Sequence, residues 1–369
     1  MKKDKLQVIN LNKYERINTS SLLNMGNKFV TFGIDNNFFY KLEDRYYGSP
    51  TNSAVINSYV NYIMGEGLIA NKGIEQKTLE KILDYNDLKN LILQLKMTGN
   101  APIQVVYSKL PDQKKVAKLY SLQAKQVAIK NQGDLSDPIE EFWFSYDWNL
   151  KTKFKPYEVP AFGKGENKQT EIFYLKNNIQ EPLFSLPDWV SGMQFAQMEE
   201  EISNYIINHI KNNFSAGKIV NIYQGEAEDE EAEEEAERLI KQRLSGSENA
   251  GGIIVSFNKS PEEKTEVENI EITDAYQQFQ YIADYAKEQI FTSHSVTSPT
   301  LFGADSKTGF SSDSEQMQTA LKTLYRSQIN PIRSKVIDAL EDILRESYPE
   351  IELDFRDFEE LNINNTENE

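Results

Sequence analysis

Apolar side chains recur every three or four positions in five stretches of this chain, and each stretch predicts a helix with one buried face. The first covers residues 53–63, where Val55, Ile56, Tyr59, Val60 and Ile63 share a face before Gly65 and Gly67 stop it. The second runs from about 76 into 97 and carries Leu79, Ile82, Leu83, Leu88, Leu91, Ile92 and Leu95. The third, 189–213, follows the start signal Ser185-Leu186-Pro187-Asp188 and repeats Met198, Ile202, Tyr205, Ile206 and Ile210. The fourth begins at the N-cap candidate Thr273 and runs to about 297, with Phe279, Ile282, Ala283, Ala286 and Ile290 on one face and Tyr276, Tyr281 and Tyr285 off it. The fifth, 315–344, bears Met317, Leu321, Leu324, Ile332, Val336, Leu340 and Ile343, and Pro331 is expected to kink it.

Between the second and third helices the pattern shortens to runs of strand type at 101–107, 116–122, 126–130, 140–146 and 170–175. Helices followed by short, antiparallel-looking strands predict an α+β domain. Two further strands are expected at 218–223 and 252–257, flanking a segment in which nine acids fall within residues 226–237 before Arg238, Lys241 and Arg243. Acids ahead of bases complement the helix dipole, so that segment reads as one helix with a solvated first half.

The 369 residues carry 57 acids against 40 bases, a formal charge of −17, and 19 Tyr with 19 Phe. This length and aromatic load predict a folded chain of about two domains. The charge argues against tight sequence-independent nucleic-acid binding, which depends on Lys and Arg displacing counterions. Without cysteine there is no disulfide, thiolate nucleophile or Cys-ligated zinc. The lysine-rich first ten residues lack an apolar segment and no run of eighteen apolar residues exists, so neither an export signal nor a membrane span is expected.

The sequence offers little catalytic chemistry. His209 and His294, the only histidines, have no ligand partner at metal spacing; His209 is expected to be packed, and His294 to sit as a cation near a helix C-terminus. The acidic run lacks the irregular spacing and Gly turns of a metal loop, so no metal or cofactor is expected. Glu199, Glu200 and Glu201 are the only candidate acid pair for a hydrolase, and adjacent helical glutamates diverge. Lys307-Thr308 hints at a phosphate loop, but a helix precedes it and Gly309 follows the Lys, the wrong order for one. Residues 302–312 are then a Gly/Ser-rich connector, long for a link between helices.

The order long helix, strand–helix–strand insertion, long helix, loop, kinked helix resembles the portal proteins of tailed bacteriophages. Local sequence supports it over about 45–345: Ser53-Ala54-Val55-Ile56 with Gly65-Glu66-Gly67-Leu68, Thr98-Gly99-Asn100-Ala101-Pro102, Ser185-Leu186-Pro187, residues 213–219, Asn249-Ala250-Gly251-Gly252, Pro299-Thr300-Leu301-Phe302-Gly303 and Asn330-Pro331-Ile332. The resemblance implies a wing over 1–186, stem helices at 187–213 and 273–298, a clip at 214–272, a tunnel loop at 299–314, and a return to the wing over 315–369 with a short or absent crown. It implies no enzyme. It implies a ring, usually of twelve copies, at a capsid vertex of the virion, through which terminase packages the genome and from which the genome leaves into the tail. Partners would be further copies of the chain, the major capsid protein, terminase, head–tail adaptors and passing double-stranded DNA. Asp305, Lys307, Thr308, Gly309 and Ser311 would lie in the tunnel loop, and Glu230, Glu231, Glu234 and Glu235 would face a docking partner. Another phage head protein or adaptor is the nearest alternative, against which the strand–helix–strand insertion argues.

Overall fold

The computed structural model describes residues 28–33, 36–108, 115–131, 138–165, 169–177, 183–211, 218–223, 253–258, 275–304 and 314–358. In chain order the elements are β1 (Phe29–Val30), α1 (Asn37–Gly48), α2 (Pro50–Met64), β2 (Gly67–Lys72), α3 (Gln76–Ile82), α4 (Tyr85–Thr98), β3 (Asn100–Tyr107) and β4 (Val116–Ser121). Then come β5 (Val127–Lys130), β6 (Glu141–Phe144), β7 (Tyr157–Pro160), β8 (Thr170–Lys176), α5 (Met193–Lys211), β9 (Lys218–Tyr223) and β10 (Ile253–Asn258). The last are α6 (Ala275–Ser293), α7 (Ser314–Leu324), α8 (Asn330–Arg345) and β11 (Glu352–Arg356).

Contacts divide the chain into two units, one made of 1–47, 51–194 and 291–369, the other of 48–50 and 195–290. The first holds three antiparallel sheets with strand orders β1-β5-β6-β7, β4-β3-β8 and β11-β2. Its core gathers the apolar faces of α2, α4 and α8 with Phe32, Phe39 and Phe184. The second holds the parallel pair β9–β10, in register from Lys218 opposite Ile253 to Tyr223 opposite Asn258. Parallel strands need a crossover of a dozen or more residues, and residues 224–252 supply the connection.

Several elements differ from their sequence expectation. The helix expected over 76–97 is two helices, because Leu83 and Asp84 are extended and the Asp84 carboxylate accepts from the backbone N–H of Asn86 and Asp87, each at 3.0 Å. A local cap outweighed a continuous apolar stripe. The long helix expected from 189 starts at Met193, after a tight turn over Val190–Gly192. Helix α1 and strands β1, β2, β7 and β11 carried no expectation. In β11, Leu353 and Phe355 are buried between exposed Glu352, Asp354 and Arg356, a period-two signal only five residues long.

Asp84 anchors the break twice, since its carboxylate also meets Lys118 Nζ at 3.0 Å. The Asp87 N–H, then Lys118, hold its pKa down to about 2. Asp84→Ala is expected to cost about 1 kcal/mol at pH 7 in urea denaturation. A group depressed on folding contributes above its unfolded pKa and loses that contribution as pH falls toward its folded one. The gap between wild type and variant should therefore narrow between about pH 4 and pH 2; a gap that persists unchanged to pH 2 would contradict the cap.

Candidate functional site

Two of the sequence signals interlock in the first unit. Asn100, at the start of β3, donates from Nδ2 to the Ser185 carbonyl at 2.7 Å, and its Oδ1 accepts from the Ser185 N–H at 2.9 Å. Gly99, with φ +75, lies against the Leu186–Pro187 backbone, where an added Cβ would come within 2.7 Å of Leu186. The segment leading into the first long helix is thereby fixed to the end of α4.

Beneath this contact lies a charge that sequence reading missed. Lys96 sits at the end of the α4 stripe and is 1% exposed. Its ammonium meets Asp188 Oδ2 at 2.7 Å and lies 4.0 Å from the Tyr59 ring centroid. Its carbonyl accepts from Trp189 Nε1 at 3.1 Å. Trp189 stacks on His294 at 5.6 Å, and Tyr59 donates its hydroxyl to the His294 carbonyl at 2.8 Å. Asn52 Oδ1 holds His294 Nε2 at 2.7 Å. Burial, and then the Lys96 charge, push the His294 pKa well below its ordinary value. The expected cation at a helix end is therefore a neutral ring: desolvation outweighs the dipole. Gly192 packs on Ser293 with no room for a side chain. Residues just ahead of α5 and just after α6 thus share one buried cluster.

In the second unit α5 and α6 pack through aromatic pairs, Tyr205 with Phe279 at 4.7 Å and Phe195 with Tyr285 at 5.8 Å. The expected stripe on α5 is only partly covered. Ile206, Ile207 and Ile210 are 44, 47 and 55% exposed, and Tyr281 on α6 is 70% exposed. Ser49 donates to Glu199, Glu200 is half-buried against Gly48, and Glu201 is exposed, so the three glutamates do not converge. The His209 side chain lies outside the described residues, as do Glu230, Glu231, Glu234 and Glu235.

Asp305, Lys307, Thr308, Gly309 and Ser311 also fall outside them. The flanks are described. Pro299–Phe302 form a short tight turn ending at Gly303, with φ +75, and Tyr62 donates to the Leu301 carbonyl at 2.7 Å. After Ser314 the chain is helical to Arg345, but with a π turn at Tyr325–Ile329 in which Asn330 N–H reaches the Tyr325 carbonyl. Pro331 occupies the first turn of α8. Its ring would crowd the Ser327 carbonyl in a regular helix, and the wider turn just ahead makes room. Arg333 then locks α8, donating to the Ile63 carbonyl at 2.9 Å, the Tyr62 carbonyl at 3.0 Å and Asp357 at 2.5 Å. Among the described residues no group of three or more His, Asp or Glu is placed to hold a metal, and no helix is long and apolar enough to cross a membrane.

A family model described as Phage portal protein matches residues 84–366. The fold is similar to a chain from the neck of an empty gene transfer agent particle computed with C6 symmetry, with a TM-score of 0.56 at 15% identity, covering 86% of this chain and 84% of that one. It is similar also to a chain from the neck of a native particle computed with C12 symmetry, with a TM-score of 0.55 at 15% identity over 86% of this chain and 83% of that one. At such identity the likeness establishes the fold. An HK97-family phage portal protein from Corynebacterium diphtheriae aligns with a TM-score of 0.44 at 9% identity over 85% of this chain and 94% of that one. No curated protein matches the sequence.

The buried histidine makes a pH prediction. Folded His294 stays neutral against Lys96, Trp189, Tyr59 and Asn52, while an unfolded histidine takes a proton near pH 6.5. Proton uptake below that pH favours the unfolded chain. Stability should fall as pH drops from 6.5 toward 5, by at most about 1.4 kcal/mol per pH unit, and His294→Gln should flatten that limb. Urea midpoints across that range decide it; an equal slope in the variant would exclude His294 as the source.

Proposed function

Because the chain belongs to the phage portal protein family, we infer that it builds the ring-shaped DNA channel at one vertex of the capsid, through which the genome is packaged and later ejected into the tail. The match across residues 84–366 carries this reading, and the family is a structural one. The protein is then a virion component, placed where head joins tail. Twelve copies fit the C12 symmetry of the neck in the related particle.

The uncovered side chains supply a reason to associate. Complete burial of an isoleucine is worth about 1.5–3 kcal/mol. Ile206, Ile207 and Ile210 leave much of that unrealised in one copy, repeated in every subunit of a ring. In this reading α5 and α6 are the stem helices, β9 and β10 frame the clip, and residues 299–314 form the tunnel loop. Terminase, the major capsid protein and head–tail adaptors are the outside partners, and duplex DNA passes without being read. Loop residues Asp305, Lys307, Thr308, Gly309 and Ser311 would brush it, one base beside one acid giving only a weak hold.

Electron micrographs of purified protein should show rings with a central hole, and Ile206→Ser/Ile207→Ser/Ile210→Ser should shift the population toward monomer in native mass spectrometry. Monomer alone for the wild type across concentration and salt would refute the ring. Nine acids within 226–237 repel one another, so that segment suits a basic partner surface. Replacing Glu230, Glu231, Glu234 and Glu235 with Gln should leave rings intact and weaken docking of terminase or adaptor most at low salt. Unchanged docking there would reduce the run to a solvated face.

A further inference from the structure

Residues 316–337 hold no acid in a chain that has 57, and they hold four bases, Lys322, Arg326, Arg333 and Lys335. Two of the four are engaged. Arg333 is buried against the Ile63 and Tyr62 carbonyls and Asp357, and Lys335 donates to the Asn177 carbonyl. Lys322 and Arg326 remain, both exposed, and among the described residues neither has an ion-pair partner.

They sit four residues apart on the helix that follows the tunnel loop, so they share a face and lie about 6 Å apart along its axis. Gln318 precedes them on the same row and is exposed, and the π turn ends the row after Arg326. Beside it runs a second exposed row of hydroxyls. Thr319 donates to the Glu315 carbonyl at 2.8 Å, Thr323 to Thr319 at 2.8 Å and Ser327 to Thr323 at 2.7 Å. Each hydroxyl proton is therefore committed within the helix, leaving the face few neutral donors. The nearest acid along the chain is Glu315, one turn before the row begins, where it complements the helix dipole.

We propose that Lys322 and Arg326 form a stripe that contacts the phosphates of duplex DNA in the channel. The proposal rests on the portal reading above and extends it to named side chains. Charge complementarity selects the ligand: an otherwise acidic molecule leaves two unpaired cations side by side beside the loop. The committed hydroxyls shape the contact. With those hydroxyls engaged, the attraction comes from two solvated cations on long side chains, which meet the phosphate backbone and carry no sequence information. Such a surface favours DNA nearby and lets it slide, and it reads no bases.

The test uses purified rings and fluorescent linear duplex DNA, with binding followed against salt. Lys322→Ala/Arg326→Ala should weaken binding about tenfold or more at low salt and flatten the salt dependence, equally for unrelated sequences. Lys77→Ala/Lys81→Ala removes the same charge from another exposed i, i+4 pair, on α3, and should change binding little. Equal losses in both variants would mean that only net charge matters, and no loss in the first would mean that DNA does not touch the stripe; either overturns the proposal while the portal reading stands. Rings that fall apart in Lys322→Ala/Arg326→Ala but persist in the α3 control would assign the stripe to a contact between copies and overturn it as well. A wild type that never forms rings would remove the portal reading, and the proposal with it.

Discussion

The architecture of the first unit depends on keeping one lysine ammonium out of water. Burying Lys96 is unfavourable unless the charge is paired and its surroundings are polarisable. Asp188 provides the counter-charge, Tyr59 the ring face, and Trp189 closes the lid while bonding the Lys96 carbonyl. Asp188 and Trp189 reach those positions only because Asn100 clamps Ser185 and Gly99 lets the Leu186–Pro187 backbone come close. Release any one of these contacts and the ammonium loses its partner, so residues 185–189 are held at the end of α4 by a penalty as much as by attraction. The same cluster takes in His294 just after α6. The chain therefore leaves for the second unit and returns from it beside one shared buried site, which fixes both attachment points in the first unit.

A comparable trade governs the last long helix. Proline cannot continue a regular helix without crowding the carbonyl four residues back, yet the helix carries on through Pro331. The π turn at Tyr325–Ile329 absorbs the conflict. It leaves the Tyr325 hydroxyl buried with no partner among the described residues, and burial pushes its pKa up to about 12. Arg333 offsets that cost by tying α8 to the end of α2 and to Asp357 beyond β11. The device expected from sequence as a kink is a widened turn ahead of the proline, because relief must come on the side where the carbonyl lies.

Long periodic segments were legible in the sequence because an apolar stripe repeats over several turns: α2, α4 and α8 bury theirs, and α5 and α6 are helical with stripes only partly covered. Short strands rich in apolar and β-branched residues and packed into the core, such as β3 and β8, were legible too. What escaped was decided by one or two residues against the pattern. Asp84 broke a helix whose apolar stripe ran straight through it, and β11 gave only two buried positions to find. The Lys96 cluster was hidden for a different reason. A lysine one position after Leu95 reads as the solvent side of α4, and only the return of Asp188 and Trp189 from some ninety residues later makes that position interior. Motif order nonetheless pointed to the family, since Thr98-Gly99-Asn100 and Ser185-Leu186-Pro187 are the two halves of one hydrogen-bonded joint.

The distribution of charge follows from what a conduit for DNA must do. A wall rich in free cations would release many counterions along the duplex and stop it, so a net charge of −17 per copy suits passage. Uniform repulsion, however, would leave the duplex unsupported against its wall. The chain resolves this by location: bases buried in structural roles, such as Lys96 and Arg333, have no free charge to offer, and those at the surface are mostly paired or scattered. Where the acids vanish, over 316–337, two exposed cations stand together with no ion-pair partner among the described residues. Few attractive points within a repulsive field give weak contact without arrest, because each phosphate that leaves one cation meets no deep minimum before the next. The absence of acids over 316–337 is the feature of the composition that fits this proposed contact.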